Sequence, residues 1–151
     1  MGLIKNDRQL AITRGVRDGL REVVAKLKAK YVRGPKWRLV SAGPLGMVEQ
    51  LEGEIREYLW LKKATPAQVM RRYRVVAMSD VGPFLARLRI ASQLTQADLA
   101  RRVGCHQPDI ARIEDADYEG HSASTLKAIA EALGVEIVLG ARPGPRPKQV
   151  G

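Results

Sequence analysis

The chain has 151 residues, 45% of them hydrophobic, with 26 Lys/Arg against 16 Asp/Glu for a formal net charge of +10. That length holds one ordinary domain, or a small domain with an extension, and no run approaches the roughly 18 apolar residues of a membrane-spanning helix. One Cys and two His exclude an internal disulfide and a Cys/His metal cluster. No Gly-rich phosphate loop and no nucleophile constellation is present, so neither an enzyme nor a cofactor is expected. The opening MGLIKNDRQL lacks the apolar core of a secretory leader. The expected setting is cytoplasmic and nucleoid-associated, away from membranes.

The charge is uneven. Residues 1–78 carry 17 Lys/Arg against 7 Asp/Glu, whereas residues 79–140 carry 6 against 9. A basic flank favours nucleic acid through counterion release, and equally an acidic protein partner. The first helix is expected from residue 7 to about 31, with Val16, Leu20, Val23 or Val24, Leu27 and Tyr31 at three- and four-residue steps. Residues 32–46, with three Gly and two Pro, read as a linker or ordered loop. A second helix is expected from Pro44 or Leu45 to Lys63 on the stripe Val48, Leu51, Ile55 and Leu59. Its wide apolar band must be buried, and the first helix is the nearest candidate, giving an antiparallel hairpin. Thr65, Pro66 and Gln68 mark a third helix, with Val69, Tyr73, Val76 and Ala77 facing inward.

From Ser79 the pattern changes to four short helices. Val81–Ala91 carries Phe84, Leu85 and Leu88 inward, with Pro83 early enough to be tolerated. Thr95 caps the next helix and Asp98 completes a capping box; Leu99, Ala100 and Val103 form its stripe. Gly104 supplies a C-cap, with Cys105 as a small apolar plug. The helix that follows buries Ile110 and Ile113 and turns Gln107, Ala111 and Arg112 to solvent. Ser122 or Ser124 caps a last helix with Leu126, Ile129, Ala130 and Leu133 inward. Val135–Leu139 alternates as a short strand would. The tail 141–151, with three Pro and no periodicity, is expected to be disordered. Asp115, Asp117 and Glu119 lack the full spacing of a calcium loop.

Two short helices joined by a tight turn, the second presenting polar residues, form a helix-turn-helix pattern. Leu94, Thr95, Gln96, Leu99, Ala100, Gly104, Gln107, Ile110 and Glu114 stand at the offsets of L-T-Q-x-x-L-A-x-x-x-G-x-x-Q-x-x-I-x-x-x-E. In these residues the chain resembles the Cro/C1-type (XRE) helix-turn-helix family, over about 55 residues. The resemblance implies an all-α, lambda repressor-like DNA-binding domain of four to five helices at residues 79–140. A helical extension at 1–78 precedes it, serving dimerisation or partner binding, and a short C-terminal strand follows. It also implies a homodimeric regulator of its own or a nearby operon, bound to a palindromic operator in double-stranded DNA.

Position assigns base contacts to Gln107, whose amide can pair with adenine, and to Arg112, which can reach guanine or a phosphate. Asp109 departs from the neutral residue usual in the family; it either closes a local cap with His106 or accepts from cytosine N4. Gln96, at a helix N-terminus, can hold a phosphate oxygen, and the resemblance implies that it also supports the base-reading Gln107. Thr95 and His106 are further backbone-contact candidates. The resemblance pairs Arg89 with Glu114 beneath the surface, with Arg89 also able to touch phosphate. An extension placed before the reading head resembles HigA-class antitoxins, which implies a toxin partner and autorepression. The acidic reading domain leaves open a third reading, a scaffold that keeps the fold without binding DNA.

Overall fold

The computed structural model describes residues 2–31, 34–74, 76–115, 120, 122–138 and 140. The chain is all-α. Its seven α-helices among the described residues are α1 (Asp7–Lys30), α2 (Pro35–Leu61), α3 (Pro66–Arg72), α4 (Val81–Ala91), α5 (Gln96–Val103), α6 (Gln107–Ile113) and α7 (Ala123–Ala132), with a 3-10 turn at Met78–Asp80 before α4. Helices α1 and α2 form an antiparallel hairpin. Asp7 at the start of α1 meets Lys62 and Tyr58 at the end of α2, at 2.9 and 3.1 Å, and Arg21 meets Glu52 at 2.6 Å midway. Asn6 caps α1 by accepting from the Gln9 amide.

Helix α2 corrects the linker expected over residues 32–46, because it starts at Pro35 and runs through Pro44. Proline costs nothing in the first turn, since the N–H it lacks has no helical partner there. Pro44 does remove an interior hydrogen bond, at a cost of about 3 kcal/mol. Packing along α1 overrides that local cost, and the buried Ser41 hydroxyl donates to the Trp37 carbonyl at 2.7 Å in the adjoining turn. Composition alone does not reveal this tertiary support. Helix α3 opens on the Thr65–Gln68 capping box but ends at Arg72, earlier than its apolar residues suggest. Tyr73 is half-buried beyond it, Val76 is half-buried in coil and Ala77 is exposed.

The C-terminal strand expected over Val135–Leu139 is absent among the described residues of that span. Residues 135–138 have no regular structure, and no strand occurs among the described residues for them to pair with. Instead α7 closes at Gly134 (φ 69°), and the Val135 amide returns to the Ala130 carbonyl at 2.9 Å. Val135 and Ile137 are half-buried against the core, while Val138 is 81% exposed. The alternation is that of a coil segment lying on α7. The expected disorder of 141–151 concerns residues outside those described, as do Asp117 and Glu119.

One buried core runs through the chain, and α4 is at its centre. Leu85 and Leu88 of α4 belong to the same cluster as Ile55, Tyr58 and Leu61 of α2, Val69 of α3, and Leu99, Ile110 and Ile129 of the last three helices. Ile4, ahead of α1, is 3% exposed in that cluster. The boundary drawn at 78/79 is therefore crossed by continuous apolar packing. The tightest approach is at Gly82, where an added Cβ would lie 2.2 Å from the Ile113 carbonyl oxygen and 3.3 Å from that of Asp115. The start of α4 rests on the last turn of α6 because this position has no side chain. Gly82→Ala is expected to force the two helices apart and destabilise the fold by about 1–3 kcal/mol, measured by urea denaturation, despite the better helix propensity of alanine.

Candidate nucleic-acid interface

Helices α5 and α6 are joined by a turn that begins at Gly104, where φ is 80°. The Cys105 amide donates to the Ala100 carbonyl at 3.0 Å, closing the turn, and the thiol is half-buried. Burial, and secondarily the charge of Asp109, push its pKa up, which suits a packing role. At the start of α5 the Thr95 hydroxyl accepts from the Asp98 amide at 3.1 Å, and the Asp98 carboxylate accepts from the Thr95 amide at 2.9 Å. The hydrogen bonds from the Thr95 hydroxyl and amide, with Arg101 nearby, hold the Asp98 pKa below its ordinary 3.8. The folded state thus prefers the ionised carboxylate. The contribution is present above pH 3.8 and is lost as pH falls through the lowered value.

Beneath these helices lies a buried ion pair. Arg89 of α4 is 2% exposed and Glu114, just past α6, is 1% exposed. Arg89 Nε donates to Glu114 Oε1 at 2.5 Å and Nη2 to Oε2 at 2.9 Å, the two-pronged geometry that suits guanidinium and carboxylate. Arg89 Nη1 donates to the Leu94 carbonyl at 2.7 Å, and Nη2 also reaches the Lys5 carbonyl at 3.3 Å. The guanidinium is thus enclosed and turned inward, which removes it from the phosphate-contacting role anticipated for it.

From Glu114 a chain of side-chain amides runs to the surface. Gln96 Nε2 donates to Glu114 Oε2 at 2.8 Å, and Gln107 Nε2 donates to Gln96 Oε1 at 2.8 Å. A carboxylate only accepts, so Glu114 dictates that Gln96 turns its NH2 inward and its oxygen toward Gln107. That oxygen fixes the Gln107 amide in turn. One N–H of Gln107 is used, leaving a second N–H and Oε1 at the exposed start of α6. These are the donor and acceptor needed for the N7 and N6 groups of adenine.

Other candidates are placed differently. The Asp109 carboxylate accepts from the His106 amide at 3.2 Å and pairs with Arg112 Nη2 at 3.3 Å, so it caps its own helix. Arg112 is 58% exposed on its side chain and remains at the surface one turn beyond Gln107. His106 is exposed at the N-cap. Lys5 and Lys62 went unnoticed in the sequence. Together with Asn6, Gln93, Gln96 and Gln107 they line a cleft of about 420 Å³ at the start of α5. Gln93, at φ 57°, ties the two parts by donating to the Lys62 carbonyl at 2.9 Å. No local signal marks these lysines, because tertiary packing brings them to the reading head.

Residues 80–141 match a family model described as a helix-turn-helix domain. The chain carries a helix-turn-helix domain. Such a domain is consistent with nucleic-acid-binding regulatory proteins in general, and the matched family is non-catalytic. No curated protein and no solved structure matches the chain. Among the described residues no group of three or more His, Cys, Asp or Glu is placed to hold a metal ion, and no helix is long and apolar enough to cross a membrane. In this helix-turn-helix domain, Glu114→Gln leaves the Arg89 charge buried with a weaker partner. A loss of about 3–5 kcal/mol in unfolding free energy is expected in chemical denaturation, with a larger effect than removing any exposed ion pair.

Proposed function

We propose that the chain is a sequence-specific, double-stranded DNA-binding transcriptional regulator of the Cro/C1 type, a homodimeric repressor acting on a palindromic operator. The observation that carries this reading is the Arg89–Glu114–Gln96–Gln107 chain, which ends in an oriented, half-satisfied amide on an exposed helix start. Water completes the exposed Gln107 amide in the free chain, and a base edge offering the matching acceptor and donor can take its place. In this reading Gln107 contacts adenine and Arg112 contacts guanine or phosphate. The second N–H of Gln96 and the free backbone amides at the start of α5 receive a phosphate oxygen, with Thr95 and His106 beside the backbone. Asp109 holds the helix start and Arg112 in place.

Lys5 and Lys62, paired with the exposed carboxylates of Asp115 and Asp7, bring two ammonium groups to the reading head that a phosphate can engage in place of those carboxylates. Each phosphate neutralised adds about −0.9 to the slope of log K against log salt. The distinction between base and backbone contacts gives the test. Using a duplex selected from a random pool, Gln107→Ala is expected to cost about 1–3 kcal/mol on the selected site and little on unrelated duplex. Lys62→Ala is expected to weaken both equally and to flatten the salt slope. Absence of salt-dependent duplex binding would contradict the reading and favour a scaffold.

A further inference from the structure

The hairpin has two broad faces. One carries the Arg21–Glu52 pair. By helical periodicity the other carries Ile12, Val16 and Val23 from α1 beside Leu39 and Met47 from α2, and these five are 44–82% exposed. Ile12 and Glu54 line one cleft at the base of that face. An exposed apolar band of this extent marks an interaction surface. Gly19 and Gly43 lie on the same face, inside helices, with nothing within 4 Å of where a Cβ would be. Neither has a positive φ. The chain's own packing gives no reason for glycine at either place, whereas close approach by another helix does.

Charge is polarised along this face. At the tip of the hairpin Lys26, Lys30 and Lys36 are exposed and enter no ion pair among the described residues. At its base the face runs into a cleft of about 870 Å³ whose wall carries Glu54, Asp80 and Asp115 together with Lys5 and Arg87, the latter held by Glu57. Asp80 is exposed, and among the described residues the Asp115 carboxylate meets Lys5, at 3.0 Å, with its side chain 69% exposed. The surface is thus basic at one end, apolar in the middle and acidic at the other. A surface with that polarity is complementary to its own copy turned end for end.

We propose that two copies of the chain pair through this face, antiparallel, as a four-helix layer with the lysine tip of each at the acidic cleft of the other. With α1 over α1 and α2 over α2, centred near Arg21 and Leu45, Val23 of one copy meets Gly19 of the second, and Met47 meets Gly43 of the second. Large residues then fit where side chains are absent. The hairpin is about 36 Å long at 1.5 Å per residue. With a width of two helices at roughly 10 Å each it offers about 700 Å² per copy, close to the ~800 Å² per partner of a standard stable interface. The pairing deepens the homodimeric reading above, on which its regulatory use rests, by naming the surface.

Sedimentation velocity of the full chain over a concentration series tests it. The wild-type chain is expected to dimerise. Val23→Asp, Met47→Asp and Gly19→Leu are each expected to weaken association at least about tenfold, with helix content unchanged by circular dichroism. Lys30→Glu alone weakens the dimer, and adding Asp80→Lys in the same chain restores it, because each copy supplies both ends. A monomeric wild-type chain overturns the proposal and assigns the face to a different protein. A dimer unmoved by Val23→Asp and Met47→Asp, or a double charge reversal that recovers nothing, also overturns it. Duplex titration separates this from the DNA reading: a dimer that binds no duplex contradicts the DNA reading and leaves the pairing, and a wild-type monomer that keeps its base preference contradicts the pairing and the homodimeric form but leaves the base reading by Gln107.

Discussion

The ion pair between Arg89 and Glu114 is the constraint on which the reading surface depends. Burying two charges is costly, and the mutual attraction does not by itself make such a pair a source of stability. Its consequence here is orientation. Arg89 joins α4, the Leu94 carbonyl before α5, and the Lys5 carbonyl ahead of α1 to one carboxylate beyond α6. Four segments, from Lys5 to Glu114, are held at one point. Because Glu114 can only accept, the polarity of every amide outward from it is set, up to Gln107 at the surface. An exposed glutamine otherwise samples both flips; this one presents a defined donor and acceptor.

The hairpin is part of the same construction. Ile4 enters the common core, Lys5 contributes a carbonyl to Arg89 and a side chain to Asp115, and Lys62 holds Gln93 through its carbonyl. The helix-turn-helix domain therefore borrows core and charge from residues outside the matched segment. At its far end the hairpin buries little, and α1 has Leu10 as its one buried residue among those described. Stability is concentrated at the base, where α2, α3 and α4 meet. The distal half offers surface rather than core, consistent with a second copy completing it.

Much of this was legible in sequence, and the misses share a cause. Local chemistry announced the starts of α3 and α5, in Thr65–Gln68 and Thr95–Asp98, because a cap and its partner lie three residues apart. The turn at Gly104 was legible for the same reason: a left-handed C-cap has a residue type of its own. The motif spacing pointed to Gln96, Gln107 and Glu114, though not to the direction in which their amides turn. The Pro/Gly-rich 32–46 read as a linker or ordered loop, since nothing local shows that α1 lies along the part from Pro35 onward. The alternation at Val135–Leu139 read as a strand, since sequence does not show whether a partner strand exists. Lys5 and Lys62 were silent, and so was Gly82, whose absent Cβ would lie 2.2 Å from the Ile113 carbonyl oxygen. Tertiary neighbours decided each of these.

The central claim is that Gln107 reads a base in an orientation imposed through Gln96. The most direct test is a double-mutant cycle on the affinity for a selected duplex relative to a single-base variant of it. Gln96→Ala, Gln107→Ala and the double variant would be compared with the unaltered chain. Coupling of about 0.5–3 kcal/mol between the two positions is predicted, so that Gln107→Ala costs little further discrimination once Gln96 is gone. Strictly additive losses would contradict the account, because Gln107 would then recognise its base without being held by Gln96.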